Sequence, residues 1–429
     1  MNLQKNPFIK KIIYSLLISY IFMPNKIFSA NSSVGSNWFL SAQANRNFSG
    51  GNNQILRGAI MDGGFSLQDA NTTCSWYSLF PAKGNINLNG GRLFLSRDIE
   101  FDDNTTIVSP MKIHGNNYKL AFPTLPTTLN LPNTTLTPVP FYFEDLNIMI
   151  NSETEFQIDS EFSGDCKIEG NNNSIIFDSS IPIEVLTDSS LTLKNSKVYL
   201  NNHPTISLNT SAELKLENIF LDIPEGIELP NNSIDIYGKS DISGTYSFPM
   251  TFNDKSHTNL FKNTMVNDAW TFKGTTFLNG NGSVLDLNST GSLIIDHDAT
   301  LYLSNITLKG VRDGLLRLMN DNSTIYMSDV AIELDYDTTM TVGGIYVEGP
   351  TTFILKDHDL TFEQNASLTV DGITLWKDPV DNSTNLGDIT FGTGAIGNYL
   401  SLVESGTIKY VGSVLCSLID LCLQPLRDD

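Results

Sequence analysis

The sequence predicts an all-β chain built as a solenoid, and three observations carry that prediction. One eight-residue pattern recurs: apolar, any, apolar, any, then Asn, Asp or Gly, then apolar, any, apolar. It stands at residues 191–198 around Asn195 (with Ser in the sixth slot), 214–221 around Asn218, 301–308 around Asn305 and 325–332 around Asp329. Looser copies occupy 141–148 around Asp145 and 368–375 around Gly372. Successive copies start 50, 23, 87, 24 and 43 residues apart, close to multiples of 22 to 25. A fixed period of that length is the mark of a stack of similar coils. Turn formers are also dense, with 44 Asn, 31 Gly and 17 Pro among 429 residues, while charged residues make up 17%. Helical bundles and coiled coils are rich in Ala, Glu, Lys and Arg, and this composition excludes them.

The octet has a physical reading. Alternation on either side of its centre is strand geometry with one face buried. The fifth position holds residues that tolerate left-handed backbone angles, which bend a strand sharply without ending it. Each octet is then two short strands meeting at a corner, with Asn able to stack on Asn one coil away. A longer self-similarity agrees with this. Residues 113–122 align with 168–177 through a shared Gly-Asn-Asn, and 279–287 follow at an offset of 110 from the second copy.

Along the chain, Lys5, Lys10 and Lys11 precede an eleven-residue apolar run from Ile12 to Phe22, and Phe28-Ser29-Ala30 offers a cleavage site. That is the layout of a secretory signal, and the run is shorter than the roughly 17–25 residues that span a bilayer. Residues 1–30 are therefore expected to be removed on export to the periplasm, the outer surface or the medium, leaving no transmembrane segment. Residues 31–83, with Trp38 and Trp76, read as a leader and N-terminal cap, because an open solenoid end exposes apolar side chains and unpaired strands. The stack itself is expected over 84–378. Within it, 123–140 holds five prolines and reads as a protruding loop without a strand. Residues 379–398 read as a Gly/Asn-rich connector. Val411, Val414, Leu415, Leu418, Ile419 and Cys422 then follow helical spacing, as a short C-terminal helix covering the last coil would.

On these octets, on Gly90-Gly-Arg-Leu-Phe-Leu95, on Asp98-Ile-Glu-Phe101 and on Gly115-Asn-Asn, the chain resembles the right-handed parallel β-helix of pectin-lyase-like enzymes and exported bacterial surface proteins. The resemblance covers residues 84–378 and concerns fold. At about 23 residues and about 4.8 Å per coil it implies about 13 coils and about 60 Å. It would also place Cys74 and Cys166 about four coils apart on one face, beyond disulfide reach. Cys416 and Cys422 are close enough in sequence to pair in an oxidising compartment.

Net charge is −21, from 26 basic and 47 acidic residues, with seven Arg. A nucleic-acid partner is not expected, since phosphate binding needs clustered Lys and Arg. Polyanions would be repelled unless a divalent cation bridged them. The candidate acidic group is Glu333, Asp335 and Asp337, alternating with Leu334 and Tyr336, with Asp313 one coil earlier beside Arg312. Facing carboxylates are what acid–base hydrolysis of a glycosidic bond requires, and they are also ligands for calcium, the one cofactor this group suggests. Against an enzyme, the chain lacks the Gly-His-Gly and Arg-x-Lys signatures of β-helix hydrolases and lyases, and its five histidines are scattered. Asp296-His297-Asp298 and Asp357-His358-Asp359 lead into strands and read as turns more readily than as metal sites. Gly392-Thr-Gly-Ala-Ile-Gly397 matches a dinucleotide fingerprint without the strand–helix setting that gives it meaning. Tyr302 and Tyr326 share an outward slot of consecutive octets, as does Tyr142 earlier. They form either a ladder that stabilises the sheet or a platform for sugar rings. The expected function is an elongated binding or structural module, such as an adhesin, with a surface glycan or protein as ligand. The alternative is a polysaccharide hydrolase or lyase.

Overall fold

The computed structural model describes most of the chain between Trp38 and Tyr410, including 234–356 without a break. The longest stretches left out there are 130–140, 225–233 and 377–388. The signal segment 1–30, Gly372, Asp357, Cys416, Cys422 and the C-terminal helical pattern lie outside the described residues.

The octet alternation sets the wall of the molecule. In the strand Glu213–Ile223, Leu214, Leu216, Ile219, Leu221 and Ile223 are buried, while Lys215, Phe220 and Asp222 turn outward. Every described strand pairing is parallel, each strand lying on one from the next coil. One unbroken run of aligned core residues climbs through Ile99, Leu120, Ile148, Ile168, Leu193 and Leu216. It continues through Ile236, Phe252, Phe272, Ile295 and Leu318, so the chain is a parallel β-solenoid of about ten turns over this stretch.

Each coil has three faces. The first carries Arg92–Leu95, Lys112–His114, Phe141–Glu144, Ser160–Ser163, Ile183–Val185 and Ile206–Leu208 in register. The second carries the Ile99–Leu318 run. The third carries Thr127–Leu129, Thr154–Phe156 and Ser174–Asp178, and continues along the upper coils. Aromatic side chains fill the interior in stacks such as Phe143–Phe162 and Phe252–Phe272, at 5.4 and 4.7 Å between centroids. Buried side chains of this size contribute roughly 1.5–3 kcal/mol each, and this one continuous core holds the coils together. Among the described residues there is no helix, and so none long and apolar enough to cross a membrane.

Three sequence expectations change. The strand Thr127–Leu129 lies inside the Pro-rich stretch expected to be strandless, and it pairs with Thr154–Phe156 because its Thr-Thr-Leu lies between the prolines. Parallel pairing also reaches outside 84–378, from Trp38–Ala42 on Asn52–Met61 to Ile389–Phe391 on Ile408–Tyr410. Finally, the octets do not all turn the same corner. From Leu214 the register runs to Ile234, Met250, Trp270, Leu293 and Leu316, and never to Leu301. A coil with three faces has three corners, and the octet pattern suits each of them.

The corners share a mechanism. Asp145, Asn195, Asn218, Asn305 and Asp329 all have positive φ, between 48° and 55°. Asn218 Nδ2 donates to Asn195 Oδ1 at 3.0 Å, and Asn218 Oδ1 accepts the Lys239 N–H of the following coil at 2.8 Å. That carboxamide lies over Gly238 (φ 64°), where an added Cβ would meet Asn218 Oδ1 at 2.2 Å. Asp145 likewise accepts the Asp165 N–H at 3.0 Å. The Gly-Asn-Asn turns tuck beneath these corners: Asn117 donates its N–H to the Asp145 carbonyl at 2.7 Å, and Asn172 to that of Asn195 at 2.6 Å.

Candidate functional site

The predicted acidic group is taken apart by its own neighbours. The strand Thr324–Leu334 ends before Asp335, so Asp335 and Asp337 stand in the turn that follows. Lys356, one coil on, reaches Glu333 Oε1 and Asp335 Oδ1, each at 2.7 Å. Partial burial works against the Lys356 charge, but the two carboxylates outweigh it and hold the ammonium proton more tightly than usual. Asp337 accepts the Asp359 N–H at 2.9 Å, and Asp313 accepts the Thr339 N–H at 3.4 Å. Arg312 packs over the exposed Tyr336 ring at 5.8 Å, and His358 stacks on the same ring at 5.9 Å. These contacts join one coil to the next. Among the described residues no group of three or more His, Cys, Asp or Glu side chains converges as a metal site.

The other motifs resolve similarly. Asp298 sits at φ 57° in the turn before Thr300–Val311 and accepts from the side-chain amides of Asn320 and Asn322 at 3.0 and 2.9 Å. Those amides hold its carboxyl below the usual range. The Gly-rich run at 392–397 leads into a strand, Ile396–Asn398. Cys74 belongs to a first-face strand and Cys166 to a second-face strand, so they do not share a face. Both are buried free thiols, and burial pushes Cys166 up to about 11 and Cys74 higher still.

Tyr302 and Tyr326 do share a slot, on the third face, and the row is longer than the pair. His257, Phe277, Tyr302, Tyr326 and Tyr346 follow one another in register. Their ring centroids are 4.2, 4.9, 4.9 and 4.9 Å apart, with planes within 7° to 17°. Phe277 precedes Tyr302 by 25 residues and Tyr346 follows Tyr326 by 20, so a search for aromatics at coil spacing finds both. Tyr142 is not part of this row. It lies on the first face, between Lys112 and Glu161.

Around Tyr142 the structure assembles titratable groups that the sequence did not reveal. His114 Nδ1 pairs with Glu144 Oε2 at 2.5 Å, and the Tyr142 hydroxyl donates to the same oxygen at 3.2 Å. The imidazole stacks on Phe94 at 4.6 Å, and its Nε2 is buried without a hydrogen-bond partner. Burial lowers the affinity of His114 for a proton, with Arg92 and Lys112 adding to that against the pull of Glu144. Further along, Glu161 stands directly against Glu184, which also accepts from Asn209 Nδ2 at 2.8 Å. Burial and the neighbouring Glu184 push the Glu161 carboxyl up. His114 and Glu144 are register partners 30 residues apart, because the Pro-rich stretch intervenes, and so coil spacing hides them.

Compared with protein-family models, curated proteins and solved structures, the chain matches none of them.

Proposed function

We propose that the protein is an exported β-solenoid, coiled right-handedly, that works as an elongated binding or structural module of the adhesin kind. The observation that carries this reading is the use of the acidic candidates as struts. Lys356 holds Glu333 and Asp335 together, and the Asp337 and Asp313 carboxylates accept backbone N–H groups across coils. A pair committed in this way is not arranged for acid–base work, which needs one carboxyl to give a proton while the other meets substrate or water. Export rests on the basic and apolar order of residues 5–22 and predicts a mature N-terminus next to Ala30, which N-terminal sequencing of the secreted chain reads directly.

A hydrolase has one observation of its own, the Glu161–Glu184 pair beside Lys112, whose charge acts on Glu161. One experiment separates the two readings. The chain from residue 31 onward is incubated with neutral and acidic polysaccharides, with and without calcium, and new reducing ends and unsaturated products are measured. The binding-module reading expects neither. Cleavage abolished by Glu161→Gln or Glu184→Gln, and untouched by Asp335→Asn/Asp337→Asn, would replace it with a hydrolase at the first face.

A further inference from the structure

At its paired positions between His257 and Tyr346 the third face carries no Lys, Arg, Asp or Glu, in a chain that has 73 of them. Three outward rows run along it in register. The middle row is His257, Phe277, Tyr302, Tyr326 and Tyr346. On one side stand Thr275, Thr300, Thr324 and Gly344, and on the other Asn259, Asn279, Ser304 and Ser328. Outward rows elsewhere are charged, as in Arg92, Lys112, Glu161 and Glu184 on the first face, or Lys167, Lys215 and Asp235 on the second. Charge of both signs returns at the borders of the strip, at the exposed Lys255, Lys262 and Lys273 as well as Asp298, Asp329 and Glu348.

From this placement we infer that the strip binds a neutral, linear polysaccharide laid along the solenoid axis. The inference rests on the binding-module reading and names its ligand class and site. The rings lie against one another, so their faces are largely used within the row. Outward they offer edges and the phenolic hydroxyls of Tyr302, Tyr326 and Tyr346. With the flanking Thr and Ser hydroxyls and Asn amides, the strip presents polar groups on each coil, about every 4.8 Å, a spacing close to the length of one sugar unit, and the Tyr302 and Tyr326 coils repeat the same Thr-Tyr-Ser set. A repeating hydroxyl-rich polymer can therefore meet polar partners at each step. A polyanion would meet the net charge of −21, with no Lys or Arg in the three rows to hold it. A peptide strand would need an unpaired edge, and the strands of this face are hydrogen-bonded on both sides.

The test is affinity electrophoresis of the chain from residue 31 onward in gels containing hydroxyethylcellulose, laminarin, dextran or polygalacturonate. At least one neutral polymer is expected to retard it, and polygalacturonate is not. Thr300→Glu/Ser304→Asp places charge on both sides of Tyr302 at outward positions and should weaken that binding tenfold or more. Tyr302→Phe/Tyr326→Phe/Tyr346→Phe keeps the stack, removes the hydroxyls and should weaken it severalfold. Circular dichroism checks that both variants stay folded. Retardation that survives the charged variant overturns the site and leaves the binding-module reading standing. So does a wild-type dimer that the charged variant dissociates in sedimentation, which would make the occupant a second copy. No retardation by any neutral polymer, or equal retardation by polygalacturonate, overturns the ligand class. Cleavage of a polymer overturns the binding-module reading itself.

Discussion

At the residue scale, His114 shows how the solenoid changes side-chain chemistry by stacking. Its ring lies between Phe94 and Tyr142, and its Nδ1 is fixed by Glu144. Burial, with Arg92 and Lys112 nearby, lowers its pKa in the folded chain below the 6.5 of a free imidazole. The unfolded chain then binds the proton more readily, so stability rises with pH through this range. The contribution of His114 is complete above about pH 6.5 and is lost as pH falls through that value toward the lower folded one. In an NMR titration the His114 ring protons should shift below pH 6.5. His114→Phe, which keeps the stack on Phe94, should flatten the slope of stability against pH between about 7 and 5. An unchanged slope would show that the imidazole binds its proton equally well in the folded and unfolded chain, and a steeper one that Glu144 holds it charged in the fold. None of this was legible in the sequence, because His114 and Glu144 become neighbours only after the chain has passed the Pro-rich stretch. The left-handed corners, in contrast, were legible one residue at a time, since few side chains other than Asn and Asp tolerate that geometry.

At the scale of the element, the corner is a contact between two coils rather than a property of one octet. Asn218 bends its own strand, bonds Asn195 below and caps the Lys239 N–H above, and its carboxamide occupies the space that requires glycine at 238. Asn218→Gly keeps the backbone free to bend and loses the side-chain bonds, at about 1 kcal/mol. Gly238→Ala forces a Cβ onto a left-handed backbone and into the Asn218 oxygen, and should cost about 2–3 kcal/mol. The two effects share an atom, so the double variant should cost less than their sum, by about 1 kcal/mol in urea unfolding. Strict additivity would mean that the carboxamide and Gly238 do not restrict one another. This coupling also explains what the octets conceal. The pattern identifies a corner, and only the pairing partner says which of the three it is, as the row that runs from Leu214 to Leu293 instead of Leu301 demonstrates.

At the scale of the whole molecule, the solenoid has one core and a surface ruled into rows, and charge runs along those rows. Several cross-coil or same-strand pairs join opposite charges, among them Lys194–Glu217 at 2.5 Å, Lys215–Glu213 at 2.6 Å and Lys262–Asp222 at 2.7 Å. Salt weakens such exposed pairs, each worth at most about 1 kcal/mol. It also screens repulsion, and here the composition decides which effect dominates. With 47 acids and 26 bases, even complete pairing leaves 21 carboxylates facing other negative charge. Rows also place like charges opposite one another, as with Glu161 and Glu184, an arrangement that destabilises adjacent strands. The Debye length shrinks from about 30 Å at 0.01 M salt to about 8 Å at 0.15 M, less than two coil spacings. Repulsion spread along the rod should therefore fade before the close pairs do. The melting temperature at pH 7 should rise by several degrees between 0.01 and 0.3 M sodium chloride, with most of the rise complete by 0.15 M. A melting temperature that falls with salt would show that the cross-coil ion pairs, and not the excess of acid, dominate the electrostatics of the stack.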